Sequence, residues 1–264
     1  MSNTASVGGV KIERASAKEQ RISLLLWGTS GCGKTTFAAT APGKKLLISF
    51  DPDGAASIAN RDDVDVVDLS NAKSMTVEKF KSDNPLGVQS VIADYDTVIV
   101  DSLTSVAQMA LAHGITHTKG ATIERPSPGA YMVRNALTLQ LVMNLLRLTG
   151  REKKHIICIA HEATPVTDAT GAIISITVML GGQLPEQATL NFSECWNLSD
   201  TGRKRRIVVR NMRFRKPMKS RMFNTVKKAE FDWHYDAETL KGMTIDGWFT
   251  AWKENGFKKI QIPD

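Results

Sequence analysis

Cysteine is scarce in this chain: three in 264 residues, at Cys32, Cys158 and Cys195, with no C-x-x-C pair among them. That excludes a disulfide framework and a zinc knuckle, and it fits a reducing compartment. Cys158 lies within the apolar run IICIA and reads as a core residue. Uninterrupted apolar runs are short, and none approaches the roughly 20 residues needed to span a bilayer. The first twenty residues lack the apolar centre of a secretion signal. The expectation is a cytoplasmic protein with no membrane partner. Acid is missing from one long stretch: Thr201 to Ala229 holds twelve Lys or Arg and no Asp or Glu. The formal charge of the whole chain is +7, so this stretch supplies all of the excess and the remainder is acidic. Positive charge concentrated in one segment points to a polyanion. What is plentiful is apolar residue, 42% of the chain, enough for a sizeable core and against global disorder.

Hydrophobic patterning gives an alternation of strands and helices. Residues 1–20 are small and polar and read as an arm, with a short extended piece at Val10-Lys11-Ile12. Apolar strands are expected over 21–27, 44–50, 64–69, 96–101 and 155–160. Helices are expected over 34–40, 75–93 with an interruption near Asn84-Pro85, 102–113 and 130–148. Later strands are expected at 192–198, 206–210 and 212–215. The run over 96–101 has no polar alternation, as befits a parallel strand covered on both faces. Two stretches lack periodicity and read as long loops, 114–129 and 163–189, the second with a hairpin turning at Asp168–Gly171. The end, 236–264, reads as a small helical cap on a core of 21–235, docking through Trp248, Phe249 and Trp252. The pattern predicts an α/β fold with a mainly parallel central sheet flanked by helices and an antiparallel β edge.

The strongest local signal is Gly28-Thr29-Ser30-Gly31-Cys32-Gly33-Lys34-Thr35, a full match to G-x-x-x-x-G-K-[ST] between an apolar strand and a helix. Its glycines let backbone N–H groups converge on phosphate oxygens, and the helix start adds partial positive charge. Lys34 is expected to reach the β- and γ-phosphates, Thr35 to ligate magnesium, and Thr36 to line the site. The ligand class is a nucleoside triphosphate, taken to be ATP with Mg2+. Val98-Ile99-Val100-Asp101 supplies the second acidic motif, with Asp101 beside the metal. An Asp that merely caps the following helix is the alternative for that residue.

At this point the sequence resembles a family. TVIVDSLTSVAQM is similar to the corresponding segment of RecA-type recombinases, in which Asp is followed by Ser. Together with GTSGCGKTTFAATAP, LLISFDPDG, IICIAHE and KPMKSR, it resembles the small phage-encoded RecA-core ATPases of the single-strand annealing or recombination-mediator type, over residues 20–223. The resemblance implies a P-loop NTPase of RecA-like (ASCE) type. It implies that Asp53, in FDPDGA, is the catalytic carboxylate, although the family more often has Glu there. It further implies that strand 155–160 inserts between the phosphate-loop strand and the Asp101 strand. His161 then occupies the place of a polar γ-phosphate sensor. Lys219-Ser220-Arg221 resembles the K-x-R element that reaches a neighbouring subunit's ATP site in trans. Self-association as ring or filament, and location in a host cytoplasm, follow from the same resemblance.

The basic segment suggests nucleic-acid phosphate contacts through Arg203, Lys204, Arg205, Arg206, Arg210 and Arg213. A solvated basic edge strand is the bland alternative. The resemblance also implies that the loops 114–129 and 163–182 hold single-stranded DNA, with Lys119 and Arg125 as their cations. The composition of the loops argues for this less than the resemblance does, because stacking aromatics are absent from them. The expected activity is therefore DNA-dependent ATP hydrolysis in recombination or annealing. A ring-forming helicase or packaging motor on the same core, a P-loop small-molecule kinase and a nucleotide-binding switch without turnover are the alternatives.

Overall fold

The computed structural model describes residues 6–7, 10–11, 20–71, 77 and 79–263. Its centre is an eight-stranded sheet. The strands are β1 (Ser23–Gly28), β2 (Lys45–Ser49), β3 (Val64–Asp68), β4 (Thr97–Asp101), β5 (His155–His161), β6 (Glu194–Asp200), β7 (Arg205–Val208) and β8 (Glu230–Trp233). Their order across the sheet is β8-β7-β6-β1-β5-β4-β2-β3. Six strands run parallel, from β6 through β3 in that order, and β7 and β8 add antiparallel edge pairing. This is the expected fold class, and β5 does insert between β1 and β4.

The central strands are buried on both faces, which explains their unbroken apolar runs. On one face lie helices α2 (Leu103–His117) and α3 (Pro128–Arg151), packed on each other and on Val98, Val100, Ile156 and Cys158. Ser102 caps α2 by accepting from the Ser105 N–H at 3.3 Å, and Ser127 caps α3 ahead of Pro128. Capping by Ser102 leaves Asp101 available for other work. On the other face lies the short helix α1 (Lys34–Ala38), inside an aromatic cluster of Phe37, Trp196, Phe223, Phe231, Trp233 and Trp248. Helix α4 is Leu184–Asn191, and α5 is Ile245–Glu254, which brings Trp248 and Trp252 into that cluster. Thr40, just past α1, receives the Ile245 N–H on its hydroxyl and the Asp246 N–H on its carbonyl, both at 3.0 Å. The end of the chain thus buttresses the helix that follows the phosphate loop.

Three local expectations change. Residues 212–215 form no strand but a tight turn, in which Met212 and Arg215 exchange backbone hydrogen bonds at 3.2 and 2.7 Å and Arg215 also bridges Ile176. Residues 184–189, expected at the end of a loop, lie in α4, which runs on to Asn191 with Pro185 in its first turn. The run Glu230–Trp233 was not expected as a strand and forms the sheet edge β8. Part of the expected helix over 75–93 lies outside the described residues; the described part consists of short 3-10 turns at Lys79–Lys81, Pro85–Ser90 and Ile92–Asp94. The expected arm falls largely outside the described residues too, apart from a two-residue pairing of Ser6–Val7 with Val10–Lys11. No helix among the described residues is long and apolar enough to cross a membrane.

The open end of β2 is held by a polar knot. The buried Lys45 ammonium lies 2.5 Å from Asp63, and Arg61 donates to both oxygens of the same carboxylate at 2.6 and 2.7 Å. The Arg61 hydrogen bond, with Lys45 adding to it, outweighs partial burial and holds Asp63 down at about 2. A depressed carboxylate contributes stability above its ordinary value and loses it as pH falls toward the folded value. Asp63→Asn is therefore expected to cost about 1 kcal/mol at pH 7, reduced by solvent screening because the Asp63 side chain is 36% exposed. Thermal melting across pH should show the difference from wild type closing between about pH 4 and pH 2.

Candidate nucleotide site

The carboxyl ends of the parallel strands bring the motif residues together, as expected for an open α/β sheet. Gly28 ends β1 and stands in register with His161 of β5 on one side and Leu198 of β6 on the other. A Cβ on Gly28 would lie 1.9 Å from the Leu198 carbonyl oxygen, so only glycine fits. Gly31 and Gly33 have positive φ, 76° and 95°, which glycine takes without strain. Thr29 and Ser30 are exposed at the tip, while Cys32 is buried and its thiol donates to the Leu198 carbonyl at 3.3 Å. Burial pushes that thiol upward, so Cys32 acts as packing and not as a nucleophile.

Lys34 is only 5% exposed, and its ammonium donates to the Gly28 carbonyl at 3.1 Å and the Thr29 carbonyl at 2.6 Å. An ammonium has three donors, so one remains for a phosphate oxygen. Thr35 donates its hydroxyl to Asp101 Oδ2 at 2.6 Å. Thr36 is buried behind it.

Asp101 is 4% exposed. Burial pushes its carboxyl up to about 6; the Thr35 hydrogen bond offsets this in part, and the charge of Asp51 adds to it. A desolvated carboxylate with one neutral donor calls for a cation, and the two oxygens offered by Thr35 and Asp101 are hard donors. Magnesium fits such a pair, since it binds through one or two protein oxygens and completes its shell with phosphate and water. No group of three or more His, Cys, Asp or Glu that could hold a metal ion occurs among the described residues.

Around Asp101 lies a second polar group. Asp51, on the turn after β2, accepts hydrogen bonds from Ser105 and from Ser102 (3.2 Å), and sits 3.5 Å from His161 Nε2. Burial alone would raise Asp51; the bonds from His161, Ser105 and Ser102 outweigh it and hold the carboxyl below its ordinary value. His161 is fixed by its backbone, donating N–H to Thr104 Oγ1 at 2.9 Å and accepting from the Met179 N–H at 2.8 Å. Asp53 is on the same turn, exposed, at φ 56°, and among the described residues its carboxylate accepts no side-chain hydrogen bond. Asp51, Ser105 and Thr104 escaped the sequence reading. Their only signal was the FDPD doublet of acids and the hydroxyls clustered after Asp101.

Other candidates sit elsewhere. Lys219 pairs through its backbone with Cys195, three residues before Leu198, so it lies about 10 Å below the loop along the sheet. Arg221 contacts Gln20 and lies 5.2 Å from the Trp252 ring, at the amino end of β1. The structure does not bring either of them to the loop of its own chain. The buried Glu194 fixes this segment by accepting the backbone N–H groups of Arg221 (2.9 Å) and Met222 (3.0 Å). Of the basic candidates, Lys204 is paired with Asp232 at 2.7 Å and Arg206 with Glu230 at 3.2 Å. Arg210 donates to the carbonyls of Thr225 and Val226. Arg205 lies against Gly33 of the phosphate loop. Arg203, Arg213, Lys119 and Arg125 are exposed.

A family model described as an AAA domain, AAA_24, matches residues 20–198. Among solved structures, the chain is similar to a KaiC-like protein of the hyperthermophilic archaeon Pyrococcus horikoshii OT3, with 15% identity, a TM-score of 0.44, and coverage of 84% of this chain and 88% of that one. It is also similar to the RadB recombinase, with 11% identity, a TM-score of 0.47, and coverage of 84% and 90% respectively. Neither likeness bears on what this chain binds or does. No curated protein matches the sequence.

Two glycines of the loop separate space from backbone strain. Gly28→Ala meets the Leu198 carbonyl and is expected to cost more than about 3 kcal/mol. Gly31→Ala meets nothing within 4 Å and is expected to cost only about 1–2 kcal/mol for its left-handed backbone. Chemical denaturation of both variants checks the order.

Proposed function

The chain belongs to the AAA-domain family, and on that premise we propose that it is an ATPase that binds ATP with magnesium at residues 28–36 and couples hydrolysis to single-stranded DNA. The observation that carries the reading is the 2.6 Å hydrogen bond from Thr35 to the buried Asp101 directly under the phosphate loop. It joins the two motifs whose oxygens hold magnesium in P-loop NTPases.

In this reading the loop N–H groups and the α1 start bind the phosphates, and Lys34 turns its remaining donor to a phosphate oxygen. Magnesium, when bound by Thr35 and Asp101, supplies positive charge to the phosphates. His161, fixed beside Gly28, turns its imidazole N–H from Asp51 to the terminal phosphate when nucleotide is bound. Asp53 orients the attacking water; its neighbour Asp51 already receives Ser102 and Ser105. Exposed Arg203, Arg213, Lys119 and Arg125 contact nucleic-acid phosphates. Lys219 and Arg221, remote from their own loop, complete the site of a neighbouring subunit, which makes self-association part of the proposal. The biological setting we assign is recombination or annealing of phage type in a host cytoplasm.

Steady-state hydrolysis with and without single-stranded DNA tests the reading. Lys34→Ala is expected to abolish turnover. Wild type should be stimulated by DNA, and its DNA affinity should fall steeply with salt. Turnover unaffected by DNA, with no salt-sensitive binding, would sink the DNA part; phosphate transfer to a small acceptor would favour a kinase.

A further inference from the structure

Neighbouring arginines in β7 have different fates because successive residues of a strand face opposite sides. Ile207 joins the cluster around Phe37 and Trp196, and Val208 joins the cluster under α2 and α3. Arg205 therefore shares the face that carries α1, and Arg206 points to the other. On that other face Arg206 is engaged by acids: 3.2 Å from Glu230 and 3.4 Å from Asp232.

Arg205 reaches the phosphate loop instead. A Cβ built on Gly33 would lie 3.3 Å from its guanidinium carbon and from Nη1. Gly33 immediately precedes Lys34, where the backbone N–H groups of the loop converge. The guanidinium is only loosely held: its nearest carboxylate, Asp200, is 3.6 Å away, and the Trp233 ring centroid is 5.8 Å away. A cleft of about 440 Å³ opens beside it, lined by Arg203, Lys204, Arg205 and Lys241 and by one acid, Asp236; of these cations Lys204 is already engaged by Asp232 at 2.7 Å. That acid is occupied by Thr239 at 2.6 Å. With Arg203, Arg205 and Lys241 facing Asp236, the cleft keeps an excess of positive charge.

We propose that Arg205 is a nucleotide-binding residue acting in cis, with its guanidinium donating to phosphate oxygens of the nucleotide seated on the loop of its own chain. A planar guanidinium can give two parallel N–H groups to a phosphate, and lysine cannot. The inference rests on the nucleotide-binding reading above and moves Arg205 out of the group assigned to nucleic acid.

The test is titration of the full chain with mant-ADP and magnesium, followed by competition with inorganic pyrophosphate. Arg205→Ala is expected to weaken mant-ADP about tenfold or more, as for a charged hydrogen bond, and to weaken pyrophosphate in parallel. Arg205→Lys should recover part of the loss, and Arg206→Ala should change affinity by no more than about twofold. Thermal melting without nucleotide checks the fold, and Arg205→Gln serves if the alanine variant melts early. Wild-type affinity for both ligands in Arg205→Ala overturns the proposal. So does a loss confined to mant-ADP with pyrophosphate unchanged, which would place the contact on the nucleoside. Failure of the wild type to bind mant-ADP would instead bring down the nucleotide reading itself, whereas binding that depends on Lys34 but not on Arg205 leaves that reading standing.

Discussion

A carboxylate taken out of water organises this molecule. Asp101 sits at the end of β4 with almost no exposed surface, raised toward neutrality by burial. Such a group is costly unless paired. The structure surrounds it with what a cation and a triphosphate require. Thr35 comes from the start of α1, Asp51 from the end of β2, and Ser102 from the cap of α2. Each of these positions follows from a strand ending at the same edge of one parallel sheet. Gly28, at the start of the loop, has no room for a side chain against the Leu198 carbonyl of β6.

The aromatic side of the core serves the same end by another route. Helix α1 has only five residues, too few to stand alone. Phe37 anchors it against Trp196, Trp233 and Trp248, and Thr40 receives two N–H groups from the start of α5. Helices α1 and α5, far apart in sequence, meet behind the phosphate loop. The helix behind the loop is thus packed and hydrogen-bonded by residues distant in sequence, such as Ile245, 205 positions from Thr40.

Positive charge, concentrated in sequence, is dispersed in space. Arg206 and Lys204 pair with acids of β8, Arg215 pairs with Glu162, Arg210 closes a turn, and Arg205 turns to the phosphate loop. The stretch from 201 to 229 looked like one polyanion surface because its neutralising acids, Glu230 and Asp232, lie just beyond its end. Strand pairing brings them opposite.

The phosphate loop, the acidic strand, the parallel sheet with β5 inserted and the antiparallel edge were all legible in the sequence. The loop, the strands and the sheet type rest on local spacing: glycines at fixed intervals, apolar runs of strand length, and a carboxylate at a strand end; the insertion of β5 followed from the family resemblance and not from spacing. What tertiary structure alone decided is which side chains share a space. That Asp51 and not Asp53 meets Ser102 and Ser105, that Arg205 and Arg206 part to opposite faces, and that Lys219 and Arg221 lie away from their own loop depend on strand register and turn geometry. A shift of one residue in either would exchange these partners, and no local pattern in the chain encodes that register.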